Sequence, residues 1–226
     1  MQSAAFEPLY FNNALRLSVF YLDTDRYLCA MRNPDETKGA ILHHAGSLFN
    51  LQGYKATSIS NITEATGYTK GAIYRHFKNK EKLEEQSLVY LMGIMFEKLR
   101  TQIKEQPTAS GKLKAIIYFF ESYVTKSPIK GGCPLLNVAI EADDSSPHLR
   151  KKAHAILEVL KESIITILAN GITFSQLRKD IDKEYYATVI IASLEGAIMM
   201  SKLSRTNHDI RIVIKHLEAT ITSIEN

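Results

Sequence analysis

Apolar residues recur at helical spacing along the chain from Asp35 onward, which predicts an all-α protein. Ile41, Leu42, Ala45, Leu48 and Phe49 mark a first helix closed by Gly53. Two short helices follow, one with Ile59, Ile62 and Ala65 on a face and one with Ala72, Ile73 and Phe77. Leu83, Leu88, Leu91, Met95 and Leu99 track one side of a long helix from Lys80 to Lys104, which Pro107 interrupts. A fifth helix spans Gly111 to Lys126. Ser127-Pro128 and Gly131-Gly132 then punctuate a loop, and Pro134 opens a short helix ending near Ala142. Ser146-Pro147 starts a seventh helix whose stripe of Leu149, Ala153, Ile156, Leu160, Ile164 and Leu168 runs to Gly171. The segment up to Asp182 is expected to cap the bundle. Helices over Lys183 to Leu203 and Asn207 to Ile224 complete the series.

Between Thr57 and Leu83 the elements are short and the turns tight, the pattern of a helix-turn-helix. Gly67 stands where the first short helix must stop, because a left-handed residue lets the chain reverse without a Cβ penalty. Thr69 is placed to cap the second, its hydroxyl accepting from N–H groups otherwise unpaired in the first turn. The polar side of that helix carries Lys70, Tyr74, Arg75 and His76, and the next turn adds Lys78, Lys80 and Lys82 against a lone Glu81. Such a surface suits a polyanion: Lys and Arg displace counterions from phosphates, and a helix of this length fits the major groove. Read blandly, it is a solvated basic face.

Net charge sharpens this reading. The whole chain of 226 residues carries only +4, so the basic excess is local and argues for one nucleic-acid face. Hydrophobic content of 45% is ordinary for a globular protein with a sizeable core plus a small domain. The two cysteines, Cys29 and Cys133, have no metal-ligand or disulfide-framework spacing, which fits a reducing cytoplasm. The first thirty residues lack the basic start and apolar run of a signal peptide and are too broken by polar residues to span a membrane. They read either as an extension upstream of a start at Met31 or as an extra helix, roughly Asn13 to Tyr21.

The stretch Phe49 to Tyr54 (FNLQGY), Thr57-Ser58, Ile62, Ala65, the run Thr69 to Phe77 (TKGAIYRHF) and Lys80-Glu81-Lys82-Leu83 resembles the DNA-binding domain of the tetracycline-repressor (TetR) family of bacterial transcription regulators. Asn61, Thr66 and Tyr68 depart from the family's usual residues around the turn. GGCPLLNVAIEAD, from Gly131, is similar to the sixth helix of some TetR-type C-terminal domains. The resemblance implies three parts: an N-terminal extension over 1–34, the DNA-binding domain over 35–83, and a helical ligand-binding and dimerisation domain over 84–226. It also implies that Thr57, Ser58, Tyr74, His76 and Lys80 contact phosphates of a double-stranded operator, with Lys38 brought near them. Thr69, Lys70, Gly71 and Arg75 would approach base edges.

What the rest of the chain does is more open. Phe96, Tyr118, Phe119 and Tyr123 either line a cavity for a small molecule or form core. Asn137 and Glu141, one turn apart, are polar anchors of that cavity or surface residues. Cys133 is a small buried hydrophobe unless the helix N-terminus activates it. Leu194, Ala197 and Ile198, with Val213, Leu217 and Ile221 of the last helix, are expected to form a symmetric four-helix interface in a homodimer. Glu195 lies at its rim or buried across the two-fold. The expected function is a cytoplasmic repressor that needs no cofactor and leaves a palindromic operator when a lipophilic ligand binds; the alternative is control by a protein partner. An all-helical hydrolase is the rival class, since His208-Asp209 with His43 or His44 resembles part of a metal-phosphohydrolase pattern. The sequence lacks its final Asp, and no Walker loop, G-x-S-x-G elbow or zinc signature is present.

Overall fold

The computed structural model describes residues 34–125, 127–142 and 146–226, the side chains of 123–125 excepted. The expectation for the N-terminal extension therefore lies outside the described residues, as does the side chain of Tyr123. Among the described residues the secondary structure is helical: α1 Pro34–Gln52, α2 Ile59–Thr66, α3 Lys70–His76, α4 Lys80–Lys104, α5 Ala109–Thr125, α6 Pro134–Ala142, α7 Pro147–Thr173, α8 Lys183–Ser204 and α9 His208–Ser223. Asp35–Asn226 pack as one compact unit.

The N-terminal helices close around a small core. Ile41, Ala45 and Phe49 of α1 meet Ile62 of α2, Ile73 of α3, and Phe77 and Leu83, all of them buried. Phe49 stacks on Tyr54, ring centroids 4.9 Å apart, and so pins the turn that follows α1. Ala65, expected on the inner face of α2, is exposed; an alanine at the helix edge adds too little apolar area to need covering.

Behind this head α4, 25 residues and roughly 37 Å long at about 1.5 Å per residue, runs into the bundle and packs on α5, α6 and α7. Helices α5, α7, α8 and α9 complete the bundle around Leu113, Ile117, Ile164, Leu168, Ala187 and Leu217. The capping segment is tied to the C-terminus: Leu177 and Glu225 form an isolated antiparallel bridge, Arg178 N–H donates to Ile224 O at 2.9 Å, and Asn226 Nδ2 donates to Ser175 O at 2.8 Å. These bonds satisfy backbone groups that a bare loop would leave to water.

Helix α8 is 22 residues long with a mean hydropathy of 1.3, enough by length and composition to cross a membrane. The bundle accounts for much of that apolarity: Ala187, Ile190, Leu194, Ala197 and Ile198 are buried against α5, α7 and α9. These residues and Leu217 and Ile221 of α9 are interior to the single chain, and Val213 is half-buried. Leu194, Ala197, Ile198, Leu217 and Ile221 are thus corrected as expected dimer contacts, each being buried within its own chain. An apolar pattern nearly all round a helix cannot say which side its own bundle takes. The side left uncovered carries Tyr185, Met199, Met200 and Leu203, with Ile212 on α9, and Leu203 is 79% exposed.

Candidate nucleic-acid interface

The turn between α2 and α3 is built as its sequence requires. Ser58 caps α2: its Oγ accepts from Asn61 N–H at 3.2 Å, and Asn61 Oδ1 accepts from Ser58 N–H at 2.8 Å. A carboxamide oxygen thus replaces the carboxylate of the common capping box without loss of the reciprocal bonds. Gly67 adopts φ 69°, and its N–H returns to Thr63 O. Thr69 Oγ1 accepts from Ala72 N–H at 3.2 Å and starts α3. These caps hold α3 with Ile73 inward and Lys70, Gly71, Tyr74 and Arg75 outward; Tyr74 is 47% exposed.

Ser58, Thr69 and Lys78 are exposed beside this face, and His76 is half-exposed. The ion pairs nearest to it, Lys80–Glu84 and Lys82–Glu85, leave out Lys70, Arg75 and Lys78. Helix α3 itself contains no acid. An exposed surface of cations unpaired among the described residues, a phenol and a close-approach glycine, mounted on a capped turn, can neutralise phosphates and reach base edges. Lys38 is half-buried with its ammonium 6.0 Å from the Phe77 ring centroid, near the end of α3.

One expected phosphate contact, Thr57, is corrected, and a second, Lys80, is engaged within the protein. Thr57 is fully buried and its hydroxyl donates to Gly53 O at 2.7 Å, so it stabilises the turn from inside. Lys80 donates from Nζ to Tyr54 O at 2.7 Å, lies 3.2 Å from Glu84, and sits 5.9 Å from the Phe49 centroid. Its charge is already partnered within the protein. Glu84 is itself buried and also meets His148 Nε2 at 3.0 Å, linking α4 to α7.

The expected ligand residues do not converge. Tyr118 is exposed and its hydroxyl donates to Glu218. Phe119 is buried beside Phe120, edge to face at 5.6 Å, and lines a shallow groove of about 330 Å³ with Lys98, Thr101, Gln102, Ser122 and Pro128. Phe96 is half-buried against the core. Asn137 and Glu141 turn instead toward the head. Glu141 accepts from Tyr54 N–H at 2.8 Å and Lys55 N–H at 2.6 Å. Asn137 Nδ2 donates to Asn50 Oδ1 at 2.9 Å and Gly131 O at 3.1 Å, while Asn50 Nδ2 donates to Lys130 O at 2.7 Å. Gly131 has φ 94°, and a Cβ there would stand 2.6 Å from Asn50 O, so only glycine admits this approach. The clasp was missed by sequence reasoning; the one signal for it is Asn50, a polar residue directly following Phe49 at the end of the apolar stripe of α1.

Among the described residues no group of three or more His, Cys, Asp or Glu could hold a metal. His43 and His44 are both exposed, their rings 5.4 Å apart and nearly perpendicular.

A three-helix head with a capped turn and an exposed basic second helix, carried by an α-helical bundle, defines a helix-turn-helix regulator. Residues 41–86 match the family described as bacterial regulatory proteins, tetR family, and residues 109–217 match the tetracyclin repressor-like C-terminal domain. The chain is similar to a solved TetR transcriptional regulator from Chloroflexus aurantiacus, with 35% identity, coverage of 86% of this chain and 98% of that one, and a TM-score of 0.82. A TetR-family regulator from Cytophaga hutchinsonii is 33% identical, covering 85% and 96%, with a TM-score of 0.78. The fatty acid metabolism regulator protein of Bacillus subtilis is 26% identical over 188 residues, covering 82% of this chain and 94% of the relative. The chain belongs to the TetR family of DNA-binding transcriptional regulators.

Proposed function

We propose that the protein is a cytoplasmic repressor that binds a palindromic operator as a homodimer and releases it when a small lipophilic molecule enters the bundle. The observation that carries the reading is the outward row Lys70, Gly71, Tyr74 and Arg75 on α3, with no acid paired to its cations among the described residues. Lys70, Gly71, Thr69 and Arg75 approach base edges; Ser58, Tyr74, His76 and Lys38 position the head on phosphates. Two heads, one per protomer, would occupy major grooves about 34–36 Å apart or a multiple of that distance.

The uncovered apolar side of α8 and α9 supports a dimer. Tyr185, Met199, Met200 and Leu203 of α8 and Ile212 of α9 are exposed apolar side chains that a second copy can cover symmetrically. Ligand control rests on the difference in ligand affinity between DNA-competent and DNA-incompetent states; coupling of about 1–3 kcal/mol alters operator affinity some 5- to 150-fold.

The test is selection of bound duplexes from a random pool, followed by titration of the selected operator by fluorescence anisotropy across a salt series. The wild type should show a steep salt slope, and Lys70→Ala should relax the preference at the base pairs it reads by about 1–3 kcal/mol. Failure to enrich any sequence, or an unchanged preference in the variant, would remove the assignment of α3.

A further inference from the structure

Inside the bundle, between α5, α7 and α8, six apolar side chains converge: Ile116 and Phe120, Leu160 and Ile164, Ile191 and Leu194. The seventh member of the cluster is Glu195. The side chains close on one another with no room for a water molecule. Glu195 Oε1 accepts from Cys133 Sγ at 3.1 Å, and Oε2 is sealed from solvent without a hydrogen-bond partner among the described residues. Burial pushes the carboxyl above its ordinary range, while the Cys133 bond pulls the other way.

A buried carboxyl with an unmet oxygen is a cost that an apolar residue of similar size would avoid. Glu195 as a whole is half-buried, but Oε2 does not await a second protomer, because that oxygen is already covered by its own chain. Nor is it a metal site, for no group of three ligating side chains forms among the described residues. What would satisfy it is a donor arriving from within the apolar cluster.

We propose that Glu195 is the recognition residue for an amphiphilic cation, a protonated amine or amidinium on an apolar body, whose N–H groups bond Oε2 while the body replaces the contacts among α5, α7 and α8. This rests on the reading of the bundle as a ligand sensor. A cation supplies both the charge and the donors that the site lacks, and the face of Phe120 can add a cation–π contact. A carboxylate would set acceptor against acceptor, and a neutral alcohol would leave the charge uncompensated. Opening the cluster also loosens the Cys133 bond, and Cys133 immediately precedes α6, whose far end holds Glu141 on the turn after α1.

Thermal unfolding and operator anisotropy of the full chain are measured with primary alkylammonium ions from butyl to decyl, and with the matched alcohols and carboxylates. The wild type should gain about 5–10 °C from one or more of the ammonium ions at a hundredfold excess over Kd. The alcohols and carboxylates should do little. Glu195→Gln should fold, bind operator and lose the preference for ammonium over alcohol. Equal stabilisation of wild type and Glu195→Gln by the ammonium ions, or no preference for cation over alcohol in the wild type, overturns the role of Glu195. If an alcohol or carboxylate releases the operator instead, the sensor reading stands and only this proposal falls. If none of the three classes alters stability or operator binding, both the cation site and small-molecule control fall, leaving DNA binding as tested separately.

Discussion

Single side chains expose where the structure departs from the cheapest solution for stability. Tyr54 is buried to 2% exposure, and its hydroxyl has no hydrogen-bond partner among the described residues. Burial first, then the carboxylates of Glu84 and Glu141, holds the phenol above its ordinary pKa and keeps it neutral. An unmet buried hydroxyl costs about 1–3 kcal/mol. Tyr54→Phe keeps the stack on Phe49 and removes that cost, so the melting temperature should rise by about 2–4 °C for each kcal/mol recovered. An unchanged or lower melting temperature would mean the hydroxyl finds a partner in solution. Glu195 gives a second prediction with a pH signature. Its folded pKa is raised above the ordinary value of 4.5. The folded state therefore binds the proton more tightly than the unfolded state, and stability is lost as pH rises through the raised value. The difference in melting temperature between Glu195→Gln and wild type should widen from about pH 4.5 upward; a gap constant with pH would show that the carboxyl is not desolvated in solution.

At the scale of elements, short range and long range separate cleanly in what the sequence could tell. Caps and turns depend on residues three or four apart, so Gly67, Thr69 and Pro134 announced their elements, and the exposed row on α3 followed from helical spacing. The clasp from α6 to the turn after α1 joins residues more than eighty positions apart, and its polar groups look the same in sequence whether they face a cavity, solvent or another helix. Asn137 and Glu141 were for that reason legible as a pair but not as to their target. Thr57 and Lys80 show the complementary failure: a hydroxyl and an ammonium suited to phosphates are taken up by Gly53 O, Tyr54 O and Glu84. A prediction distinguishes the two kinds of residue. Glu141→Ala leaves two N–H groups without their carboxylate, each charge-assisted bond being worth about 1.5–3 kcal/mol, and should loosen the head against α6. Hydrogen exchange at Tyr54 and Lys55 should accelerate at least tenfold in this variant. Lys80→Ala should lower the melting temperature while leaving the salt slope of operator binding unchanged, since its charge is already paired. A slope reduced by about one ion would restore Lys80 to the phosphate contacts.

For the whole molecule the question is which side of α8 faces what. Leu194 and Leu203 stand half a turn apart around α8 at about 3.6 residues per turn, and Leu194 is 2% exposed while Leu203 is 79%. The physical consequence is that the same kind of substitution should have two different outcomes. Leu194→Glu puts a second acid into the cluster that already holds Glu195 and should unfold the chain. Leu203→Glu adds a charge to the uncovered side, is accommodated by the monomer, and repels its copy across a two-fold axis. If that side forms the interface, sedimentation of Leu203→Glu should give a monomer with wild-type helical content. Its affinity for a palindromic operator should then fall by about 10²- to 10⁴-fold, because the second head no longer binds at the effective concentration set by the first. Affinity for an isolated half-site should be unchanged. A Leu203→Glu protein that remains dimeric would place the two-fold elsewhere, and α8 would then need another partner to cover its methionines.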